Sequence, residues 1–354
     1  MPVSATESEE AARAAFLAQA QWCADLGSPF TAALCTAIGR NIGGENEVGR
    51  QVLGWSGRPG GWADGLPLRL CGGLHALVRS DEAPALARLY PPNAVPEEAV
   101  LWTAVREVFE RSGESILPWL ERAPQTNEVG RSNALMSGLL AIAARFRLPI
   151  ELVELGASAG LNLVLDRYGY DLGGTLAGDP HSPLQLRPDW TGAPPPSARV
   201  EILRRRGVDL YPVDVRADRD RLLAYVWPDQ QQRLAQLETA LALAAENPPS
   251  VDAADAADWL EAHLAIAPVA GRARVIMHSV AFQYFPSEVQ ERIRLRIWKA
   301  GAQAHSNAPV AWLRFEKEPE DYETSLRLAL WPAGEDLLLA FCHPHGRAIS
   351  WVDA

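Results

Sequence analysis

The sequence is poor in several features that would place it in a ready-made class. Four cysteines (Cys23, Cys35, Cys71, Cys342) are scattered through 354 residues. None forms a C-x-x-C pair, which speaks against a structural zinc site or a disulfide framework and fits a reducing compartment. No apolar run approaches the roughly 18 residues that a spanning helix needs. Excess positive charge is missing too: the formal net charge is −11, which argues against a general affinity for nucleic acid or an anionic membrane. One basic cluster, Arg204-Arg205-Arg206, reads as a solvated helix face. The opening stretch M-P-V-S-A-T-E-S-E-E is acidic and polar, not a basic segment followed by an apolar one. The expectation is a soluble, cytoplasmic protein without nucleic-acid or membrane partners. Strand-like alternation is also absent before Ile150.

What is present first is helix. The length suggests about two domains, and an apolar content of 48% is ordinary for a chain with a sizeable core. Residues 9–26 are Ala-rich with few breakers. Ser28-Pro29 offers an N-cap and a proline at the first helical position, opening a helix to about Ile38. Residues 43–65 are rich in glycine and read as loop. Residues 67–77 read as helix, and Pro96 opens another whose Leu101, Val105, Val108 and Phe109 form one buried stripe. Leu135, Leu139, Ile142 and Phe146 mark a further helix in the same way. The domain reading is a helical N-terminal domain over 1–125 and an α/β domain over 126–354. A Gly/Pro/Asp-rich insertion with room for a small hairpin lies at about 168–198.

The chain turns to strand at Ile150. P-I-E-L-V-E-L-G-A-S-A-G-L-N-L-V-L (149–165) runs from a short apolar strand through a turn of small residues into a helix start. Such a turn lets backbone N–H groups approach a ligand. E-L-G-A-S-A-G matches the acid-x-Gly-x-Gly-x-Gly motif of S-adenosylmethionine-dependent methyltransferases, with Ser158 at the middle glycine. It is also G-x-S-x-G, the nucleophile elbow of α/β-hydrolases, and it reads equally as a plain tight turn. The hydrolase reading is weakened because its nucleophile strand sits mid-sheet after several others, whereas here it is the first strand.

Further on, residues 200–206 read as a short helix and 207–215 (G-V-D-L-Y-P-V-D-V) as a strand with Asp209 near its end. An acid after the second strand of a nucleotide-binding unit bonds ribose hydroxyls, about 20 residues past the glycines; here the insertion lengthens the spacing. Residues 218–226 and 229–246 read as helices. Asp255, in D-A-A-D-W-L, resembles the methyltransferase acid that pairs with the adenine amine, and reads equally as a helix N-cap. Residues 274–279 form a fourth strand ending in His278 and Ser279, followed by a helix over 287–300. A fifth strand at 309–315 has Glu316 just beyond it, and three late strands follow at 326–330, 336–341 and 348–352.

T-N-E-V-G-R at 126–131 concentrates an amide, a carboxylate and a guanidinium at a helix entrance. The competing reading is a capping box led by Thr126, incomplete because Val129 stands where Glu or Gln belongs. His343-Pro344-His345 puts two imidazoles on one side of a strand, but no third ligand adjoins them, so no metal is assigned.

Taken together, T-N-E-V-G-R, E-L-G-A-S-A-G-L-N-L, D-R-Y-G-Y at 166–170, V-D-L-Y-P-V-D-V, V-W-P at 226–228, H-S at 278–279 and H-G-R at 345–347 resemble the DUF2332 family of bacterial proteins of unknown function. The resemblance runs from about Ser28 to Trp351 and implies no established activity. The methyltransferase likeness is a second, narrower one. It implies a Rossmann-like α/β fold with a mostly parallel sheet, an antiparallel closing hairpin and a preceding all-helical domain. It also implies S-adenosylmethionine as cofactor. Glu154, Gly156, Ala157, Ser158 and Gly160 would cradle it, Asp209 would take the ribose, Asp255 the adenine amine, Arg131 the carboxylate, and Ser279 would line the site. His278 is the candidate base; Asn127, Glu128 and Gln283 would face the substrate. The function expected is methyl transfer to a small acceptor. A non-catalytic nucleotide-binding protein and a serine hydrolase acting through Ser158 are the alternatives.

Overall fold

The computed structural model describes residues 5–61, 63–125, 127–317 and 324–352. The chain divides into two compact units, Met1–Thr126 with Asp218–Ala235, and Asn127–Ala217 with Gln236–Ala354. Among the described residues no helix is long and apolar enough to cross a membrane.

The first unit begins with helices α1 (Ala5–Asp25), α2 (Pro29–Asn41), α3 (Glu47–Leu53), α4 (Leu66–Arg79), α5 (Pro84–Ala87) and α6 (Glu98–Glu121). The longer ones bury stripes at helical spacing, and the four-residue α5 buries Leu86. Phe30, Leu34 and Ile38 come from α2, Leu66, Leu70 and Leu74 from α4, and Leu101, Val105 and Val108 from α6, all in one core. Two local expectations change. The glycine-rich stretch at 43–65 contains α3, because the Asn46 side chain accepts the Gly49 N–H at 2.9 Å and nucleates a turn that the glycines disguise. Ser28 stands at the N-cap of α2 but makes no capping bond. Its hydroxyl bonds Asp229, and Asp229 accepts the Phe30 N–H at 2.8 Å instead. A carboxylate about two hundred residues away in sequence thus does the work expected of the local serine.

In the second unit α7 (Ser132–Phe146) leads into β1 (Ile150–Leu155), all six of whose residues are buried. That explains the unbroken apolar reading of a central parallel strand. After the turn the chain forms a 3-10 helix at Leu161–Arg167 rather than an α-helix. The Tyr168 and Tyr170 hydroxyls bond the Leu161 and Leu165 carbonyls at 2.8 and 2.9 Å, claiming acceptors that an α-helix would use. The insertion contains β2 (Gly169–Leu172), β3 (Thr175–Gly178) and β4 (Gln185–Leu186), a small separate sheet with an antiparallel β2–β3 hairpin. It also supplies β5 (Asp189–Thr191). Next come β6 (Ile202–Asp209), α8 (Arg219–Ala224), α9 (Gln231–Glu246), β7 (Val251–Ala253), α10 (Ala256–Ala265), β8 (Ala273–Ser279) and α11 (Ser287–Ala302). Four strands close the chain: β9 (Val310–Lys317), β10 (Thr324–Trp331), β11 (Glu335–Cys342) and β12 (Ala348–Trp351). Of these elements, α8 and the start of α9 as far as Ala235 belong to the first unit.

β6 overturns the helix expected at 200–206. The short β7 pairs only with Gly207, Val208 and Asp209, so the first half of β6 has a neighbour on the β1 side alone. Its side chains there are largely exposed and do not alternate. Arg205 forks onto Asp166 at 2.6 and 2.8 Å, and Arg206 onto Asp252 at 2.6 and 2.9 Å. Two of the triplet's three arginines are therefore held in ion pairs on a strand, and the triplet is not a helix face.

The large sheet has the order β5-β12-β11-β10-β9-β8-β1-β6-β7. β7, β6, β1, β8 and β9 run parallel, and β9 to β12 form an antiparallel meander with β5 parallel to β12 at the outer edge. From β1 the chain builds outward through β6 and β7, then returns to β1's other side with β8. The order thus reverses between β1 and β8, and crevices at the carboxyl ends of such strands are where open α/β sheets bind ligands.

Candidate functional site

At the carboxyl end of β1 the chain makes a cramped turn. Gly156 and Gly160 have φ of +69° and +71°, and Ser158 holds +50° without being glycine, a conformation that disfavours side chains. Three bonds hold Ser158 there. Its N–H donates to Asp209 Oδ2 at 2.9 Å, Asn127 Nδ2 donates to its Oγ at 2.8 Å, and the neighbouring Ala159 N–H donates to Asn127 Oδ1 at 3.3 Å. Asp209, last residue of β6, also accepts the Tyr211 N–H through Oδ1 at 2.9 Å. Ser158 is thus latched by an amide and a carboxylate, and its hydroxyl accepts from Asn127 rather than facing an imidazole as a triad serine would.

Glu154 lies two residues before the turn and is 2% exposed. Its Oε1 accepts from Asn162 Nδ2 at 2.9 Å, and the same amide reaches Ser279 Oγ at 3.2 Å. Oε2 is buried and has no hydrogen-bond partner among the described residues. Burial pushes the carboxyl up to about 8; the Asn162 bond and the Arg131 charge pull it down, while the charge of Asp209 adds to the rise. A buried carboxyl poised near neutrality with one oxygen unanswered is the most unusual group at this end of the sheet.

The segment from Asn127 wraps the same end. Glu128 accepts the Gly130 N–H at 3.1 Å and so caps its own 3-10 turn, Val129–Arg131; Thr126, the expected cap, lies outside the described residues. Arg131 donates to the Pro344 and Ser279 carbonyls at 3.2 and 3.3 Å. Asn133 donates to the Gly346 carbonyl at 3.0 Å. A Cβ at Gly130 would lie 2.3 Å from the His345 oxygen, and one at Gly346 would lie 2.1 Å from the Gly130 oxygen. Two segments more than two hundred residues apart are therefore interlocked through their glycines.

Other predicted residues go elsewhere. Asp255 caps α10, its Oδ1 accepting the Ala257 and Asp258 N–H groups at 2.9 and 3.0 Å. His278 is 1% exposed. Alternation along β8 puts it on the Ile276 face, in the core with Phe282 and Trp312, while Ser279 shares the Glu154 side. Its Nδ1 bonds Glu316 Oε1 at 2.6 Å, and its ring stacks on Phe282 at 4.8 Å. The same Glu316 oxygen accepts the Ala281 and Phe282 N–H groups at 3.0 and 3.1 Å, so the pair fixes the loop after β8. Gln283 follows in the 3-10 turn Phe282–Tyr284. Among the described residues no group of three His, Cys, Asp or Glu is placed to hold a metal ion.

A family model described as an uncharacterized protein conserved in bacteria, DUF2332, matches residues 13–351. The chain belongs to the DUF2332 family. Comparison with curated proteins and with solved structures gives no match. In this DUF2332 chain, the N-E-V-G-R, E-L-G-A-S-A-G-L-N-L, V-D-L and H-G-R motifs meet at one end of one sheet. D-R-Y-G-Y braces the turn from behind through its tyrosines. Sequence reasoning passed over Asn162, although it stands inside the glycine motif; an amide eight residues past a buried acid was the available signal. Glu316 was noticed only for its position beyond a strand, and its bond to His278 depends on β8–β9 pairing.

Proposed function

We propose that this end of the sheet binds S-adenosylmethionine and that the protein transfers its methyl group to a small acceptor. The parallel order β7-β6-β1-β8-β9 with a glycine turn after β1 fits a Rossmann-like methyltransferase sheet. The antiparallel meander that follows is this chain's own arrangement. The observation that carries the reading is Glu154: a buried carboxyl with an unanswered oxygen, beside a turn of two positive-φ glycines, where the strand order reverses.

The residues fit the cofactor. Glu154 Oε2 lacks a donor among the described residues, and the cofactor's amino group would supply one. Asp209 spends two bonds on backbone N–H groups and keeps lone pairs for ribose hydroxyls. Asp255 Oδ1 is committed to its helix, so the adenine amine is left to its other oxygen. When bound, the cofactor supplies an electrophilic methyl on a sulfonium. The chain's part is then to hold two reactants in line and exclude water, and positioning of that kind accounts for most of the acceleration such a transfer needs. No proton passes through His278, whose ring is enclosed on the other face.

Calorimetry with S-adenosylmethionine and S-adenosylhomocysteine tests the reading. Binding that weakens at least tenfold in Asp209→Ala and Glu154→Ala supports it. Absence of heat with either ligand at millimolar concentration sinks it, and labelling of Ser158 by a fluorophosphonate would replace it with a hydrolase.

A further inference from the structure

Three of the chain's four cysteines meet in the first unit. Cys23 comes from α1, Cys35 from α2 and Cys71 from α4. Cys35 and Cys71 Sγ are 3.7 Å apart across 36 residues of sequence. The Cys23 sulfur takes a bond from Gln19 Nε2 at 3.5 Å. Cys23 and Cys35 are fully enclosed, but Cys71 is 8% exposed. It lines a narrow cleft with Thr31, Leu34, His75, Tyr225 and Trp227. Trp227 belongs to the V-W-P motif, which the sheet unit's site does not use.

Buried cysteines usually serve as small apolar residues, and packing alone would account for one of them. It does not account for two sulfurs in contact, 3.7 Å apart, the outer of which faces a cleft. We propose that Cys71 and Cys35 form an oxidant-responsive dithiol site, in which a hydroperoxide entering the cleft converts the pair into a disulfide.

The Cys71 sulfur attacks a peroxide oxygen; an S–O bond forms, the O–O bond breaks, and the displaced hydroxide leaves as water with the thiol proton. Cys35 Sγ then attacks Cys71 Sγ; the S–S bond forms, the S–O bond breaks, and a second water leaves with the Cys35 proton. Two thiols are oxidised by two electrons, and hydrogen peroxide is reduced to two waters. The sulfurs must close from 3.7 Å to about 2.05 Å, within reach of a side-chain rotation. Of the pair only Cys71 reaches the cleft, 8% exposed against 0% for Cys35, so Cys71 meets the oxidant first.

The test uses the full-length protein and hydrogen peroxide, with thiols counted by alkylation under denaturing conditions before and after treatment. The expected result is loss of two alkylatable thiols, a mass lower by two hydrogens, and a Cys35–Cys71 cross-linked peptide that disappears on reduction. Cys342→Ser should leave this unchanged, and Cys35→Ala should stop at a dimedone-reactive sulfenic acid on Cys71. The proposal is overturned if all four thiols still alkylate after exposure that fully oxidises glutathione, or if the disulfide that forms lacks Cys71. The wild-type measurement decides even if a variant fails to fold.

Discussion

The pentapeptide Asn-Glu-Val-Gly-Arg occurs twice, at residues 46–50 and at 127–131. In the first copy the polar groups turn to near neighbours. Asn46 caps α3 through the Gly49 N–H at 2.9 Å, and Arg50 pairs with Glu47 at 2.6 Å and with the Gly44 carbonyl at 3.2 Å. In the second copy Glu128 takes the capping role, which releases the other two side chains for distant partners. Asn127 reaches the Ser158 turn and Arg131 the ends of β8 and of the loop before β12. Only the glycine behaves alike, since a Cβ would meet the Gly43 oxygen at 1.9 Å in one copy and the His345 oxygen at 2.3 Å in the other. The same five residues yield a helix cap or a site framework according to which amides and carbonyls the surrounding chain brings within reach.

The largest effect should come from the glycines. Gly130→Ala drives a methyl into the 345–346 turn and should cost about 3 kcal/mol in urea denaturation, with loss of cofactor binding. Gly49→Ala should cost a similar amount yet leave the calorimetric heat of the protein that remains folded unchanged. Equal effects on binding would erase the distinction between the copies.

Next comes the pH dependence that only the second copy influences. Glu154 holds its proton up to about 8 when folded, against an ordinary value of 4.5. Between those values the folded chain binds a proton that the unfolded chain has lost. Its contribution to stability therefore falls as pH rises through that window, then levels off. Glu154→Gln should flatten the decline in denaturation midpoints measured from pH 5 to 8.5. Arg131→Met, which removes a charge that lowers the Glu154 value, should move the end of the decline to higher pH, whereas Arg50→Met should not.

The asparagines should differ less. Asn127→Ala removes two bonds from the turn and should cost about 2 kcal/mol, together with cofactor affinity. Asn46→Ala should cost about 1 kcal/mol with affinity intact. The smallest change should be Arg50→Ala, whose ion pair with Glu47 is exposed on both sides and should be worth under about 0.5 kcal/mol in the same assay.

Much of this was legible beforehand, for identifiable reasons. β1 could be read because all of its residues are buried, so the apolar run needs no partner to be recognised. The stripes of α2, α4 and α6 were plain because helical periodicity is local. β6 was misread because its arginines answer Asp166 and Asp252, residues far off in sequence. Asp255 carried two readings, and the structure spends its Oδ1 on the helix cap. His278 and Ser279 were grouped as neighbours in sequence, but the pleat sends them to opposite faces of the sheet.

By itself the sequence determined the elements whose signal lies within a few residues: the helical stripes, the glycine turn and the acid beside it. Backbone sterics and burial periodicity act at that range. Only the tertiary structure decided which polar groups answer one another. Asp229 caps α2, Asn127 latches Ser158, Gly346 seats against Gly130, and Glu154 is left with one unanswered oxygen. Hydrogen bonds and desolvation depend on which groups are adjacent once folded, and those adjacencies are set by the strand order that brings β6 and β8 to either side of β1.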